Sequence, residues 1–174
     1  MRISVVVLLG VIFLMSCGQK SNQKQTGTSK LAYAEINLSE YGIPVSVTVP
    51  EGSKVEESIA MSMFSGFGLV AYEIKKDNFV LEVTCMQSDS LNTPANRMKS
   101  EKEMITDDSE FDSFVEEGDK GFIYKKKSEN GVDYNFFYVV KSGNSMVEFR
   151  NGMRFSNFSL DEVKEHYKAA QTAH

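Results

Sequence analysis

Two cysteines and two histidines are the chain's whole supply of thiol and imidazole, so nucleophilic or metal chemistry has few places to sit. Cys85 ends the run "NFVLEVTC", in phase with Phe79, Leu81 and Val83, and no basic partner stands beside it to favour a thiolate. It reads as a buried, inert thiol. His166 lies next to the apolar stripe of a C-terminal helix, without a second His, Cys or carboxylate pattern, and reads as a surface or boundary histidine. Asp108, Glu110, Asp112 and Asp119 fall at positions 1, 3, 5 and 12 of a would-be calcium loop, the alternating oxygen ligands that a hard cation wants. Position 6 is Ser113, where the sharp turn requires glycine, and Phe111, Phe114 and Val115 ask for burial. That stretch is therefore read as a solvated acidic loop and strand. Gly66-Phe67-Gly68 begins a loose dinucleotide motif, but "LVAYEI" behind it reads as strand where the motif needs a helix N-terminus. No HExxH, G-x-S-x-G, P-loop or CxxC occurs. These readings predict no catalytic residue, no metal and no cofactor.

One stretch, residues 59–68, has the chemistry of a binding surface. Ile59, Met61, Met63, Phe64 and Phe67 stand among two serines and two glycines. Methionine adapts to irregular partners, and a strand core would favour β-branched side chains instead. The segment is predicted to form an apolar lip for an envelope protein or a small apolar ligand.

The other cysteine explains where such a surface would work. Arg2 is followed by an apolar run over residues 3–15, the length of a secretory h-region and shorter than the roughly 20 residues that span a bilayer. The run closes on Leu14-Met15-Ser16-Cys17, with a leucine three residues before the cut, a small residue just before it and cysteine just after. This resembles the lipobox of bacterial lipoproteins. The resemblance implies cleavage before Cys17 and a thioether-linked diacylglycerol on its sulfur, making Cys17 the lipid anchor. Several acyl chains, at about 0.8 kcal/mol per buried methylene, hold such a protein on a membrane. Residues 1–16 are then a signal peptide, and 17–30 are the lipidated cysteine and a tether of polar and small residues. Its 13 residues after Cys17 predict a flexible reach of roughly 20 Å. Gly18 lacks the aspartate character that retains lipoproteins on an inner membrane, which points to the outer membrane, facing the periplasm. Losing Arg2 takes the formal charge from −5 to −6, which argues against nucleic acid and leaves the lipid as the membrane contact. Lys125-Lys126-Lys127 runs into "SENG" and reads as a solvated strand end.

Residues 31–174 must supply one core without a disulfide, because alkylated Cys17 leaves Cys85 without a partner. Val45, Val47 and Val49 alternate with Ser46 and Thr48, a half-buried strand stopped by Pro50. "GLVAYEIKKDNFVLEVTCMQ" predicts two strands about a turn at Asp77-Asn78. Thr93 as N-cap and Pro94 at the first turn open a helix carrying Ala95, Met98 and Ile105. Four strands follow as a meander, with Asn130-Gly131 as a hairpin signal. In "VDYNFFYVV", Tyr134, Phe136 and Tyr138 take one face, and Phe137 and Val139 the other, so this strand should be covered on both sides. Ser159 and Glu162 have capping-box spacing, and Leu160, Val163, Tyr167 and Ala170 form the stripe of a closing helix. The expected order is ββββ-α-ββββ-α: an α+β domain with a mainly antiparallel sheet flanked by two helices.

The opening strand ending "VPEG", the "NFVLEVT" strand, the "TPANRMKSE" helix, the "YNFFYVV" strand and the terminal helix are similar to PsbP and Mog1-like domains across residues 42–170. That resemblance implies an α/β/α sandwich serving as an accessory or binding module and not as an enzyme. Together these readings describe a membrane-tethered lipoprotein domain of the cell envelope that binds a partner or ligand. An envelope hydrolase with unsignatured carboxylates, or a purely structural envelope component, is the alternative. If Cys17 carries the lipid, Cys17→Ala abolishes incorporation of a fatty-acid analogue; undiminished label on that variant would refute the anchor.

Overall fold

The computed structural model describes residues 32–58, 69–88, 92–129, 131–152 and 157–174. They belong to one compact unit, Leu31–His174. In chain order the strands are β1 (Tyr33–Asn37), β2 (Ser46–Pro50), β3 (Lys54–Glu57), β4 (Val70–Lys76) and β5 (Phe79–Gln87). Helix α1 (Pro94–Thr106) follows, then β6 (Phe111–Glu117), β7 (Gly121–Ser128), β8 (Gly131–Ser142), β9 (Ser145–Asn151) and helix α2 (Leu160–Ala170). A 3-10 turn, Ser39–Tyr41, links β1 to β2. The fold class is α+β, mostly antiparallel sheet with two helices. Five described strands precede α1, one more than the sequence order predicted, and β1 and β2 form a separate two-stranded sheet.

The other seven strands form one sheet in the order β3-β4-β5-β9-β8-β7-β6, with every neighbouring pair antiparallel. The chain leaves β5, passes through α1 to the far edge at β6, and returns by the meander until β9 lies against β5. Local chemistry starts both helices. Thr93 Oγ1 accepts from the Asn96 amide at 3.2 Å, and Pro94 occupies the first turn. Ser159 and Glu162 form a reciprocal capping box, with Glu162 Oε2 accepting from the Ser159 amide at 2.8 Å. Asp77 and Asn78 make a two-residue turn between the paired Lys76 and Phe79, and Asp77 takes the left-handed φ of 50° that such a turn requires. Ser128 pairs with Gly131, so Gly131 belongs to β8, where the sequence had placed it in the turn.

Consecutive β8 residues feed two cores. Phe136, Tyr138 and Val140 join Leu81, Val83, Val147 and Phe149 under α2 and the small sheet, where Val163, Tyr167 and Ala170 also pack. Phe137 and Val139 point the other way, to Phe122, Tyr124, Met146 and α1's Ile105. Apolar residues on both faces therefore mark a strand buried on both sides, because side chains alternate with a period of two. Cys85 sits in the first core, 5% exposed and free, and burial raises its thiol pKa despite an opposing Ser145 hydrogen bond. Both edges of the large sheet are blunted. β3 has four residues, three of them charged, and β6 carries two register irregularities with Asp112, Glu116 and Glu117.

Gly121 fixes where β7 meets β8. A Cβ there would stand 2.4 Å from the Phe137 carbonyl oxygen and 2.9 Å from Tyr138 Cα, and neither backbone atom can withdraw without breaking the ladder. Gly121→Ala should cost about 3 kcal/mol in urea unfolding, the scale of an overpacked interior. A change under about 0.5 kcal/mol would contradict this register.

Candidate functional site

The apolar lip, Ile59, Met61, Met63, Phe64 and Phe67, lies outside the described residues, as does the anchor Cys17. In sequence the segment falls between β3, an edge strand of the large sheet, and β4. Its near flank, Ser58, is buried; its amide donates to the Ala71 carbonyl at 3.1 Å and its hydroxyl to Glu82 Oε2 at 3.1 Å.

The acidic quartet does not converge. Asp108 accepts from Lys126, and Asp112 lies 2.6 Å from Lys125 Nζ, so two acids of the β6 region pair with successive lysines of β7. Each lysine holds its aspartate below the usual carboxylate range. Two of the three lysines expected to be a solvated strand end are thus cross-strand partners. Among the described residues no group of three His, Cys, Asp or Glu could hold a metal ion.

A four-residue ion lattice that the sequence reading missed lies between α1 and β9. Arg97 and Glu101 are one turn apart on α1, and Glu148 and Arg150 are two residues apart on β9, so each pair shares one face of its element. Arg97 reaches Glu148 through Nε at 2.5 Å and a terminal nitrogen at 3.0 Å, and meets Glu101 at 2.9 Å. Arg150 also donates to both Glu101 oxygens, the second at 2.8 Å, and to Glu148 at 3.1 Å. The guanidinium carbons of Arg97 and Arg150 stand 5.4 and 4.7 Å from the centre of the Phe137 ring, whose negative face favours cations. Glu101 is fully buried. Burial opposes its charge, yet the Arg150 and Arg97 guanidiniums together hold its pKa below the ordinary range. Burial likewise opposes the charge on Arg150, and Glu101 and Glu148 raise its pKa all the same. The lattice is electrically closed, with two cations and two anions. The signal in the sequence was the i,i+4 Arg–Glu spacing on a helix with few apolar residues, beside alternating Glu and Arg on an otherwise apolar strand.

Two further buried carboxylates, Glu73 and Glu82, face each other across β4 and β5. Lys75 Nζ lies 2.6 Å from Glu73 Oε2, an ion pair off the hydrogen-bond line, and Glu82 accepts from Ser58.

His166 is buried, 1% exposed, against the expectation of a surface or boundary position. The helix turn places it between the Phe79 and Phe158 rings, edge-on to each at 4.8 and 5.3 Å between ring centres. Its polar ring fits there because other elements satisfy it. Nε2 accepts from the Val80 amide at 3.4 Å, and Nδ1 lies 3.3 Å from Asn151 Oδ1. Asn151 Nδ2 donates to the Tyr134 carbonyl and to Asn135 Oδ1, which leaves Oδ1 as acceptor and assigns the proton to His166 Nδ1. Burial pushes the imidazole down to about 4, with the Glu162 carboxylate pulling weakly the other way. His166 adjoins a cleft of about 230 Å³ whose walls include Lys76, Asp77, Phe79, Glu162 and Glu165.

No protein-family model matches the chain, and no curated protein matches it. The site chemistry therefore stands on geometry: guanidiniums engage Glu101 and Glu148, and protein partners occupy both nitrogens of His166.

The lattice makes α1's seat pH-dependent. Glu101, with its pKa depressed by folding, contributes stability that is present above the ordinary glutamate value and is lost as pH falls through the folded one. A double-mutant cycle on Glu101→Gln and Arg150→Gln, read by urea unfolding, should give a coupling of about 1–3 kcal/mol. Additive single effects would show that the two side chains act independently.

Proposed function

We propose that the chain is a cell-envelope lipoprotein, anchored by lipid on Cys17, whose domain is a partner- or ligand-binding accessory module. The observation that carries this reading is that the buried carboxylates of the described residues are engaged by the protein itself: Arg97 and Arg150 hold Glu101 and Glu148, Lys75 pairs with Glu73, and Ser58 donates to Glu82. A carboxylate clamped by two guanidiniums is a poor proton donor or acceptor near neutral pH, because its charge is what the arginines stabilise. The lipobox-like Leu14-Met15-Ser16-Cys17 and the polar stretch 18–30 support membrane attachment, with Gly18 favouring the outer membrane and a periplasm-facing domain. No described helix is long and apolar enough to cross a membrane, which is compatible with attachment by lipid. The PsbP/Mog1-like α/β/α reading draws support from α1 and α2 packing in separate cores served by opposite faces of β8.

The docking surface in this reading is the apolar segment 59–68, through Ile59, Met61, Met63, Phe64 and Phe67. Large apolar groups left exposed mark places where something docks. The exposed large hydrophobics among the described residues, Tyr33, Met104, Val115 and Val132, lie on four different elements. Met63→Ser with Phe64→Ser should weaken crosslinked capture of the native envelope partner while changing stability by less than about 1 kcal/mol. A loss on the order of 4 kcal/mol in thermal unfolding would place the pair in a core and remove this surface from consideration.

A further inference from the structure

The His166 niche joins four parts of the fold. The ring belongs to α2, accepts from Val80 of β5, and reaches Asn151 of β9, which in turn donates to the Tyr134 carbonyl of β8. The contact of the Val80 amide with His166 Nε2 is the vulnerable link. Its hydrogen bond requires a lone pair on the imidazole, and a protonated ring would set N–H against N–H. Phe79 and Phe158 offer an imidazolium no oxygen or nitrogen acceptor in exchange for its lost hydration, only a weaker ring contact. The Asn151 contact survives protonation, since Nδ1 already carries its proton.

We propose that His166 is an acid-operated latch, holding α2 to β5 while neutral and releasing it when protonated, so that the adjoining cleft opens toward Phe79 and Phe158. The charged groups around the ring favour release toward the cleft. On α2 itself these are Glu162, one turn before His166, and Glu165, whose carboxylate accepts from Tyr33 at 2.7 Å. The β4–β5 turn brings Asp77 and Lys76, and Lys76 Nζ is directed to the Glu51 carbonyl. On the β8 side Asp133 accepts from the Phe158 amide at 3.0 Å, fixing the chain just before α2. Three carboxylates and one ammonium therefore line the cleft near the ring, and an imidazolium leaving the niche moves toward net negative charge.

The direction of the pH effect follows from linkage. A histidine whose pKa is lowered by folding, here to about 4 from an ordinary 6.5, favours the closed state fully at pH above 6.5. That contribution is lost as pH falls from 6.5 toward 4, because only the released ring takes the proton. Ser159 and Glu162 remain a separate acid-sensitive contact at the start of α2, since their hydrogen bonds hold the Glu162 carboxyl below its usual range.

Amide hydrogen exchange on the ¹⁵N-labelled full chain tests the latch. After correction for intrinsic rates, protection of the Val80 amide should fall on the order of tenfold between pH 7 and pH 5. Protection of Val139, whose amide donates to Lys120 at 2.8 Å, should stay constant. In His166→Gln the side-chain carbonyl can accept from Val80 without titrating, so the pH dependence should disappear while Glu162 still titrates. Val80 protection that ignores pH, or that falls in parallel with Val139, would overturn the proposal; the second outcome would mean global acid unfolding. If the variant does not fold, the imidazole ¹⁵N shifts of the unaltered chain decide. A neutral His166 ring protonated at Nδ1 at pH 6 supports the latch, and a ring already charged there overturns it. Exposed His174 provides the internal reference.

Discussion

A fully buried glutamate constrains this fold more than any single apolar contact. Glu101 faces the sheet from α1, and an ionised carboxylate there would cost several kcal/mol without partners. Arg150 of β9 and Arg97 of its own helix supply them, and Glu148 balances the second guanidinium. Helix α1 is consequently seated at a defined point along β9. The crossover from β5 to the far edge at β6 must carry it there, and the meander must return with β9 beside β5. A hydrophobic seat would tolerate sliding, because apolar contact is non-directional. Bidentate arginine contacts do not, since their planar donors match a carboxylate in few orientations.

The two faces of the large sheet therefore solve different problems. Under α2 and the small sheet the core is apolar, with Leu81, Val83, Phe136 and Phe149 buried together, and it accounts for most of the burial. Under α1 the apolar cluster is smaller, Ile105, Phe122, Tyr124, Phe137, Val139 and Met146, and the ion lattice completes it. Phe137 belongs to both arrangements, packing against Phe122 while presenting its ring to two guanidiniums. His166 is the corresponding polar element in the first core, and hydrogen bonds from two neighbouring strands compensate its burial. Each polar insertion ties a helix to a strand through directional contacts.

This division bears on the proposed role. In the proposed setting on a membrane, the blunted sheet edges would resist edge-to-edge association with neighbouring copies. In that proposal binding falls to residues 59–68, whose methionine and phenylalanine side chains suit it. Among the described residues stability rests on packing and ion pairing, with the buried thiol of Cys85 free and part of the core.

How far the sequence reached depended on whether the partner of each feature was local. The capping box at Ser159 and Glu162, the Thr93-Pro94 helix start and the Asp77-Asn78 turn involve residues a few positions apart, so their chemistry was complete within a short stretch. The alternation of Phe136 and Phe137 similarly announced a strand buried on both faces, because the pleat alone decides which way each ring points. The tether and the lipid-anchor reading of Cys17 belong to the sequence alone. β3, with its short Lys-Val-Glu-Glu run, gains strand identity only from pairing with β4. The burial of His166 required Val80 and Asn151, 86 and 15 residues away, to meet both ring nitrogens. The lattice needed Glu101 and Arg150 brought together across 49 residues. A charged or polar side chain is read as solvated until something removes its water and replaces each hydrogen bond, and only tertiary structure supplies that replacement.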